Sequence, residues 1–295
     1  MKHEFDSMKE GNIIDYINQL FCMDNLELMK QLPKGKIDLI YIDPPFGIKT
    51  DEKFDMIPWN KNTQNKNEVD IIFPTLENLL TKGECNYLRW LYPRLAFMKE
   101  LLSDNGSIFL HLDWHICHYV KLFMDGIFGK DKFRNEIVWC YGGGGAPKNY
   151  YPKKHDNIFW YSKSNFWIFN KQYRPYTEGT LQRGLTTVKG SNYQLHEEGA
   201  GLDDWWADNR VQKILSPTAY ENLKYTTQKP EGLLKRIIFG HSNENSIVAD
   251  FFAGSGTTGA VAEKLGRRWI MCDSNPKAIK IIEERMNKIH NEIHN

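Results

Sequence analysis

The chain has 295 residues, 41% hydrophobic and 25% charged, with a net charge of +1, an ordinary globular composition that suits one large domain or one domain plus an insert. No apolar run approaches the ~18 residues of a membrane span, and the start Met1-Lys2-His3-Glu4-Phe5-Asp6 lacks the apolar centre of a signal peptide, so a cytoplasmic protein with no membrane partner is expected. Its five cysteines (Cys22, Cys85, Cys117, Cys140, Cys272) are widely spaced with no C-x-x-C pair, which argues against a disulfide framework and against a zinc site.

Taken in order, Gln19 to Met23 reads as a short strand, and Asp24 as the N-cap of a helix over Asn25 to Gln31. Ile37 to Ile42 is a buried strand that stops at Asp43-Pro44-Pro45-Phe46-Gly47. Two prolines cannot donate backbone hydrogen bonds and hold φ near −65°, so the chain leaves this strand as a stiff turn with Asp43 and Phe46 at its rim. In an open α/β sheet the carboxyl end of a strand is where ligands bind. A carboxylate, a free carbonyl and an aromatic face there suit a flat heterocycle that carries an amine. The polar stretch from Lys49 to about Asn67 is too long for a tight connection; loops of this length are usually functional or mobile, and this one begins where the active site is expected.

Asn86 to Leu102 predicts an amphipathic helix, closed by a turn at Ser103-Asp104-Asn105-Gly106. Ser107 to Leu112 predicts a strand and His115 to Phe128 a helix. His111, His115 and His118 suggest a metal only by count: His111 ends a strand, so helical spacing does not bring it to the other two, and no metal is expected. Asn135 to Cys140 predicts a strand that runs into Gly142 to Gly145, after which Asp156 to Tyr161 and Asn165 to Phe169 read as a hairpin.

From Tyr141 to Tyr176 six Lys or Arg stand against one acid, interleaved with ten further aromatic residues, a mixture that suits a polyanion bearing stackable bases. Lys171 to about Tyr225 has weak periodicity and reads as a separate small module. Thr226-Thr227-Gln228-Lys229-Pro230 opens a helix to about His241, with Pro230 in its first turn. Ser246 to Phe252 is a buried strand, followed by Ala253-Gly254-Ser255-Gly256-Thr257-Thr258-Gly259 and a helix to Leu265. Arg268 to Cys272 is the last strand, ending at Asp273, and Pro276 begins the terminal helix.

Gly254-x-Gly256-x-x-Gly259 after a strand, with Asp273 ending the next, satisfies a nucleotide-binding template without separating nicotinamide dinucleotides from S-adenosylmethionine. Only 36 residues follow Gly259, enough for one strand and one helix. The sheet around this loop must therefore take its other strands from earlier in the chain, which makes the Asp43 turn its neighbour. A dehydrogenase would carry its substrate half after such a fingerprint, so the order fits a permuted nucleotide fold.

Asp43-Pro44-Pro45-Phe46, a variable middle, Thr227-Gln228-Lys229-Pro230 and then Asp250-Phe251-Phe252-Ala253-Gly254-Ser255-Gly256-Thr257-Thr258 resembles the beta-class DNA amino-methyltransferases, and among them the adenine-specific enzymes of restriction-modification systems. The resemblance spans nearly the whole chain, with Phe251 where Pro is frequent and Phe46 in place of the commoner Tyr. It implies an α/β class I methyltransferase fold: a Rossmann-like, mostly parallel sheet with an antiparallel hairpin and circularly permuted motif order. Residues 1–170 and 226–295 would be catalytic and 171–225 an inserted target-recognition module.

The cofactor implied is S-adenosylmethionine, held by Asp24, Asp43, Thr227, Gln228, Lys229, Pro230, Asp250, Phe252, Ala253, Gly254, Ser255, Gly256, Thr257, Thr258, Asp273 and Ser274. The catalytic set implied is Asp43, Pro44, Pro45 and Phe46, acting on the N6 amino group of a flipped adenine in double-stranded DNA, with cytosine N4 as the alternative. Lys148, Lys153, Lys154, Lys171, Arg174 and Arg183 are the expected DNA contacts. A homodimer and a cognate restriction endonuclease are the further partners that such a resemblance implies.

Overall fold

A computed structural model of the chain describes residues 11–45, 76–143, 145–188, 191–211 and 221–294. Strand β1 (Gln19–Cys22) leads to Asp24, whose carboxylate accepts the N–H groups of Leu26 and Glu27 and so caps α1 (Asn25–Met29), as the sequence predicts. Strand β2 (Ile37–Ile42) follows. Phe46 and the Lys49 to Asn67 loop lie outside the described residues.

Helix α2 spans Lys82–Leu101, four residues earlier at its start than its periodicity suggests, because Thr81 and Glu84 form a reciprocal capping box. Strand β3 (Leu102–Leu112) replaces the expected turn at Ser103 to Gly106. Its pairing with β2 jumps from Ile37↔Leu102 to Leu39↔Ser107, so those four residues bulge within a continuing strand instead of ending a helix. Helix α3 (Cys117–Phe128) and strands β4 (Phe133–Cys140) and β5 (His155–Ser162) come next.

The antiparallel hairpin is β4 with β5, from Asn135↔Trp160 to Cys140↔His155, and not Asp156 to Tyr161 with Asn165 to Phe169. Ser162 and Ser164 turn the chain out of β5 through hydrogen bonds to the Ser164 and Phe166 carbonyls. Phe169 then stacks on Trp160 and packs by His241. Its alternating pattern is met by aromatic packing, not by a ladder.

Short strands β6 (Tyr173–Arg174) and β9 (Ala200–Gly201) pair with each other, as do β7 (Leu185–Val188) and β8 (Ser191–Gln194), with helix α4 (Glu178–Arg183) between them. Strand β10 (Trp205–Trp206) leaves this region and pairs parallel with β4. Trp206 and Val211, within the 171–225 segment, are buried in the same cluster as Leu233, Leu234 and Ile237 and so belong to the main core. Helix α5 (Glu231–His241) has Pro230 at its N-cap; β11 (Ile247–Asp250), α6 (Thr257–Lys264), β12 (Arg268–Asp273) and α7 (Pro276–His294) complete the chain.

The main sheet runs β1-β12-β11-β2-β3-β5-β4-β10, parallel throughout except that β5 is antiparallel to both neighbours. Alternate residues of β2 face opposite sides: Ile40 and Ile42 pack with α1, α2 and α3, Leu39 and Tyr41 with α5 and α6. The N-terminal β2 lies beside the C-terminal β11, with Leu39↔Val248 and Ile40↔Ala249 in register. The two motifs therefore share one crevice, at the point where chain order reverses across the sheet. Among the described residues no helix is long and apolar enough to cross a membrane.

Candidate active site

At the carboxyl ends of β2, β11 and β12 the sheet opens into a cavity of about 460 Å³. Asp43 stands at its floor because β2 ends there, and Pro44 and Pro45, with no N–H to offer a neighbouring strand, carry the chain outward. Lys229 Nζ forms an ion pair with Asp43 Oδ2. Asp43 Oδ1 is buried and, among the described residues, has no hydrogen-bond partner. A buried carboxylate oxygen without a donor is costly unless something else supplies one.

The glycine loop is built from its acids. Asp250, ending β11, accepts the Phe252 N–H through Oδ1 at 3.0 Å and the Thr258 hydroxyl through Oδ2. Burial, which penalises the charged form, pushes its carboxyl up to about 7. Asp273, ending β12, accepts the Gly254 N–H at 2.8 Å and the Asn275 N–H at 2.8 Å. Gly254 and Gly256 have φ of +53° and +72°, and a Cβ on Gly256 would come within 2.9 Å of Ile282; only glycine lets the loop lie this tightly on α7.

Two arginines that local sequence patterns do not announce complete the frame. Arg285 of α7 donates to the Ser255 carbonyl at 3.1 Å, to Thr257 Oγ1 at 3.0 Å and to Glu231 Oε1 at 2.8 Å. Thr257 in turn donates to the Lys229 carbonyl at 3.1 Å, joining the glycine loop to the residue paired with Asp43. Arg94 of α2, 3% exposed, holds Asp24 Oδ2 at 2.7 Å and Asn25 Oδ1 at 2.8 Å. Asp24 thus lines the cavity with one oxygen capping a helix and the other on an arginine.

Of the residues assigned to the cofactor, Gln228, Pro230 and Gly256 do not line this cavity. Gln228 accepts the Leu223 N–H and donates to the Glu221 carbonyl, Pro230 is buried at the start of α5, and Gly256 packs on Ile282. The others assigned line it, joined by Asn25, Tyr41, Trp90 and Tyr225, which the sequence reading missed.

A second cavity of about 200 Å³ shares Thr227 and Lys229 with the first and is walled by Trp114, Trp139, Tyr141, Asp113, Asp156 and Lys153. Between the two runs a buried polar chain. Tyr41 Oη meets His111 Nδ1 at 2.9 Å, His111 Nε2 meets Asp156 Oδ2 at 3.3 Å, and Tyr141 Oη donates to Asp156 Oδ1 at 3.1 Å. Burial and the nearby Lys229 charge hold the His111 imidazole below the usual range, so it is neutral and serves as a hydrogen-bonding link.

The six expected DNA contacts divide. Lys148, Lys153, Lys171 and Arg183 have exposed side chains. Lys153 Nζ lies 3.1 Å above the Trp114 ring and Lys171 Nζ 5.1 Å above Tyr173. Lys154 Nζ donates to the Gly143 carbonyl. Arg174 pairs with Asp203, Nε to Oδ2 at 2.6 Å.

A family model described as DNA methylase matches residues 37–284. The chain is 29% identical over 261 residues to the DNA adenine methyltransferase YhdJ of Escherichia coli (strain K12), covering 88% of this chain and 79% of that protein. Two solved structures share its fold. The M1.HpyAVI–SAM complex superposes with a TM-score of 0.54 at 22% identity, covering 91% of this chain and 98% of that one. PvuII DNA methyltransferase (cytosine-N4-specific) superposes with a TM-score of 0.62 at 16% identity, covering 92% and 89%.

Proposed function

The chain belongs to the DNA methylase family, and from that premise, S-adenosylmethionine-dependent methylation of DNA, we propose that the acceptor is the N6 amino group of an adenine turned out of the duplex and held by Asp43. The observation that carries this reading is the state of Asp43. One oxygen is fixed by Lys229, which lines both cavities, while the other is buried with no donor among the described residues. An exocyclic amine brings the missing N–H.

The first cavity fits the cofactor. Its volume is in the range that encloses a small molecule, Asp273 and Ser274 offer acceptors for ribose hydroxyls, and Trp90, Tyr225 and Phe252 offer flat surfaces. Asp24, Asp43, Asp250 and Asp273 surround it with carboxylates suited to a cationic ligand. When bound, S-adenosylmethionine supplies a methyl group made electrophilic by a sulfonium.

The amino nitrogen of adenine is a poor nucleophile because its lone pair is delocalised into the ring. Asp43 Oδ1 accepts one N–H and the Pro44 carbonyl the other, so the nitrogen pyramidalises with its lone pair facing the first cavity. Methyl transfer is then a direct displacement governed by position and charge. The proton released from nitrogen passes to Asp43 Oδ1. The second cavity, with Trp114, Trp139 and Tyr141 in its wall, receives the base, which must leave the helix for its amino group to be reached. Phe46, next in the turn, is proposed to stack on it.

YhdJ is named an adenine methyltransferase, and Asp at position 43 supports the same base here. The basic residues around the second cavity would hold phosphates, which position without specifying. Within 171–225 the β7–β8 pair, whose β8 residues are exposed, is proposed to read base edges. Double-stranded DNA is the partner; a second copy of the chain and a cognate endonuclease are proposed, as is the cytoplasm as compartment. Incubation of the purified chain with labelled S-adenosylmethionine and unmethylated DNA, followed by nucleoside analysis, tests the reading. N6-methyladenine is the expected product, and N4-methylcytosine or unlabelled DNA would refute it.

A further inference from the structure

The segment joining β4 to β5 leaves the sheet at the wall of the second cavity and returns to it: Trp139, Tyr141 and Asp156 all line that cavity. Its neck is closed. The Tyr141 N–H donates to the Lys154 carbonyl at 2.9 Å, Lys154 Nζ donates to the Gly143 carbonyl, and Lys153 covers Trp114. Its outer part carries two adjacent aromatic residues, Tyr150 at 65% and Tyr151 at 94% exposed. Packing therefore does not account for Tyr151. Tyr150 lies 5.8 Å from the Lys153 ammonium, within cation–π range, and is tied to the rim. Tyr151 precedes Pro152, whose ring favours an extended backbone at the residue before it.

We propose that Tyr151 inserts into the DNA stack at the place vacated by the flipped adenine; the proposal rests on the base-flipping reading above. A base that leaves the helix opens a gap into which it can return, and a flat side chain that fills the gap offsets the lost stacking. The lysines at the neck bring the phosphates of the same duplex to the second cavity, and Tyr151 is a nearly fully exposed aromatic two residues from Lys153, which lines that cavity.

The test uses duplexes carrying the target motif, once genome sequencing has located it, with 2-aminopurine at the target adenine or with the adenine opposite an abasic site. Wild-type protein brightens 2-aminopurine on binding, Tyr151→Ala loses most of that signal, and Tyr151→Trp keeps it. Single-turnover methylation by Tyr151→Ala is expected to fall by roughly tenfold on the paired duplex and to return to near the wild-type rate opposite the abasic site, where no pairing resists flipping. Normal brightening by Tyr151→Ala, or an equal defect on both duplexes, overturns the role of Tyr151 alone. A wild-type protein that methylates the site without brightening 2-aminopurine overturns the flipping reading and the inference together.

Discussion

Lys229 and Asp43, 186 positions apart in the chain, form an ion pair where the two cavities meet, with side chains 11% and 16% exposed. The pair exists because β2 and β11 are neighbours in the sheet and the Thr227-Gln228-Lys229-Pro230 turn folds over both. It leaves Asp43 Oδ1 as the carboxylate oxygen outside the pair.

Breaking one side of a buried pair strands the other charge. Lys229→Met should lower stability by roughly 3 kcal/mol and abolish most methyl transfer. Asp43→Asn combined with Lys229→Met removes both charges and should recover much of that stability while the rate stays lost. Denaturant unfolding alongside methyl-transfer assays checks this; a double variant as unstable as the single one would show that the two residues are not coupled.

Arg285 supports the glycine loop that borders the first cavity without itself lining it. Arg285→Ala should raise the KM for S-adenosylmethionine by about tenfold, the size of effect expected when a buried charge-assisted hydrogen bond is lost. The kcat should fall much less, DNA affinity should be unchanged, and Arg285→Lys should recover part of the loss. Steady-state kinetics with each substrate varied separates this from general destabilisation, which would lower kcat and leave KM in place.

Asp250 gives the site a pH dependence. Its folded carboxyl titrates at about 7 because of burial, above the ordinary unfolded value of about 3.9. The folded state therefore holds a proton that the unfolded state has released. The stabilisation this provides is complete below the unfolded value and is lost as pH rises through 7. Asp250→Asn should flatten that part of the stability profile, and thermal melts of both proteins from pH 4 to 8 will show it. A cationic cofactor binds the ionised form better, so affinity for S-adenosylmethionine should rise between pH 6 and 8 in the wild type and not in the variant.

The parts of this architecture legible in the sequence were those written in consecutive residues. Asp43-Pro44-Pro45 and Gly254-x-Gly256 constrain the backbone by themselves, and the strands that carry them, β2 and β11, are neighbours in the sheet. Arg94 and Arg285 left no local sign, because each acts on residues brought close only by folding. Trp205-Trp206 is too short to read as a strand and becomes one by pairing with β4. Asn165 to Phe169 carries strand-like alternation, but its aromatic residue is drawn to Trp160 and His241. The start of α2 was within reach: Thr81 and Glu84 have the capping-box spacing, and the apolar period alone placed the helix late.

The central claim, that Asp43 delivers a methyl group to adenine N6, is tested most directly in a methylation-free host. Modified bases would be mapped by sequencing DNA from cells that express the chain or its Asp43→Ala variant. The account predicts N6-methyladenine at one recurring motif with the wild type and none with the variant, at equal protein levels and with S-adenosylmethionine binding retained. Methylation by Asp43→Ala at the wild-type level, or a mark on cytosine in place of adenine, would contradict it.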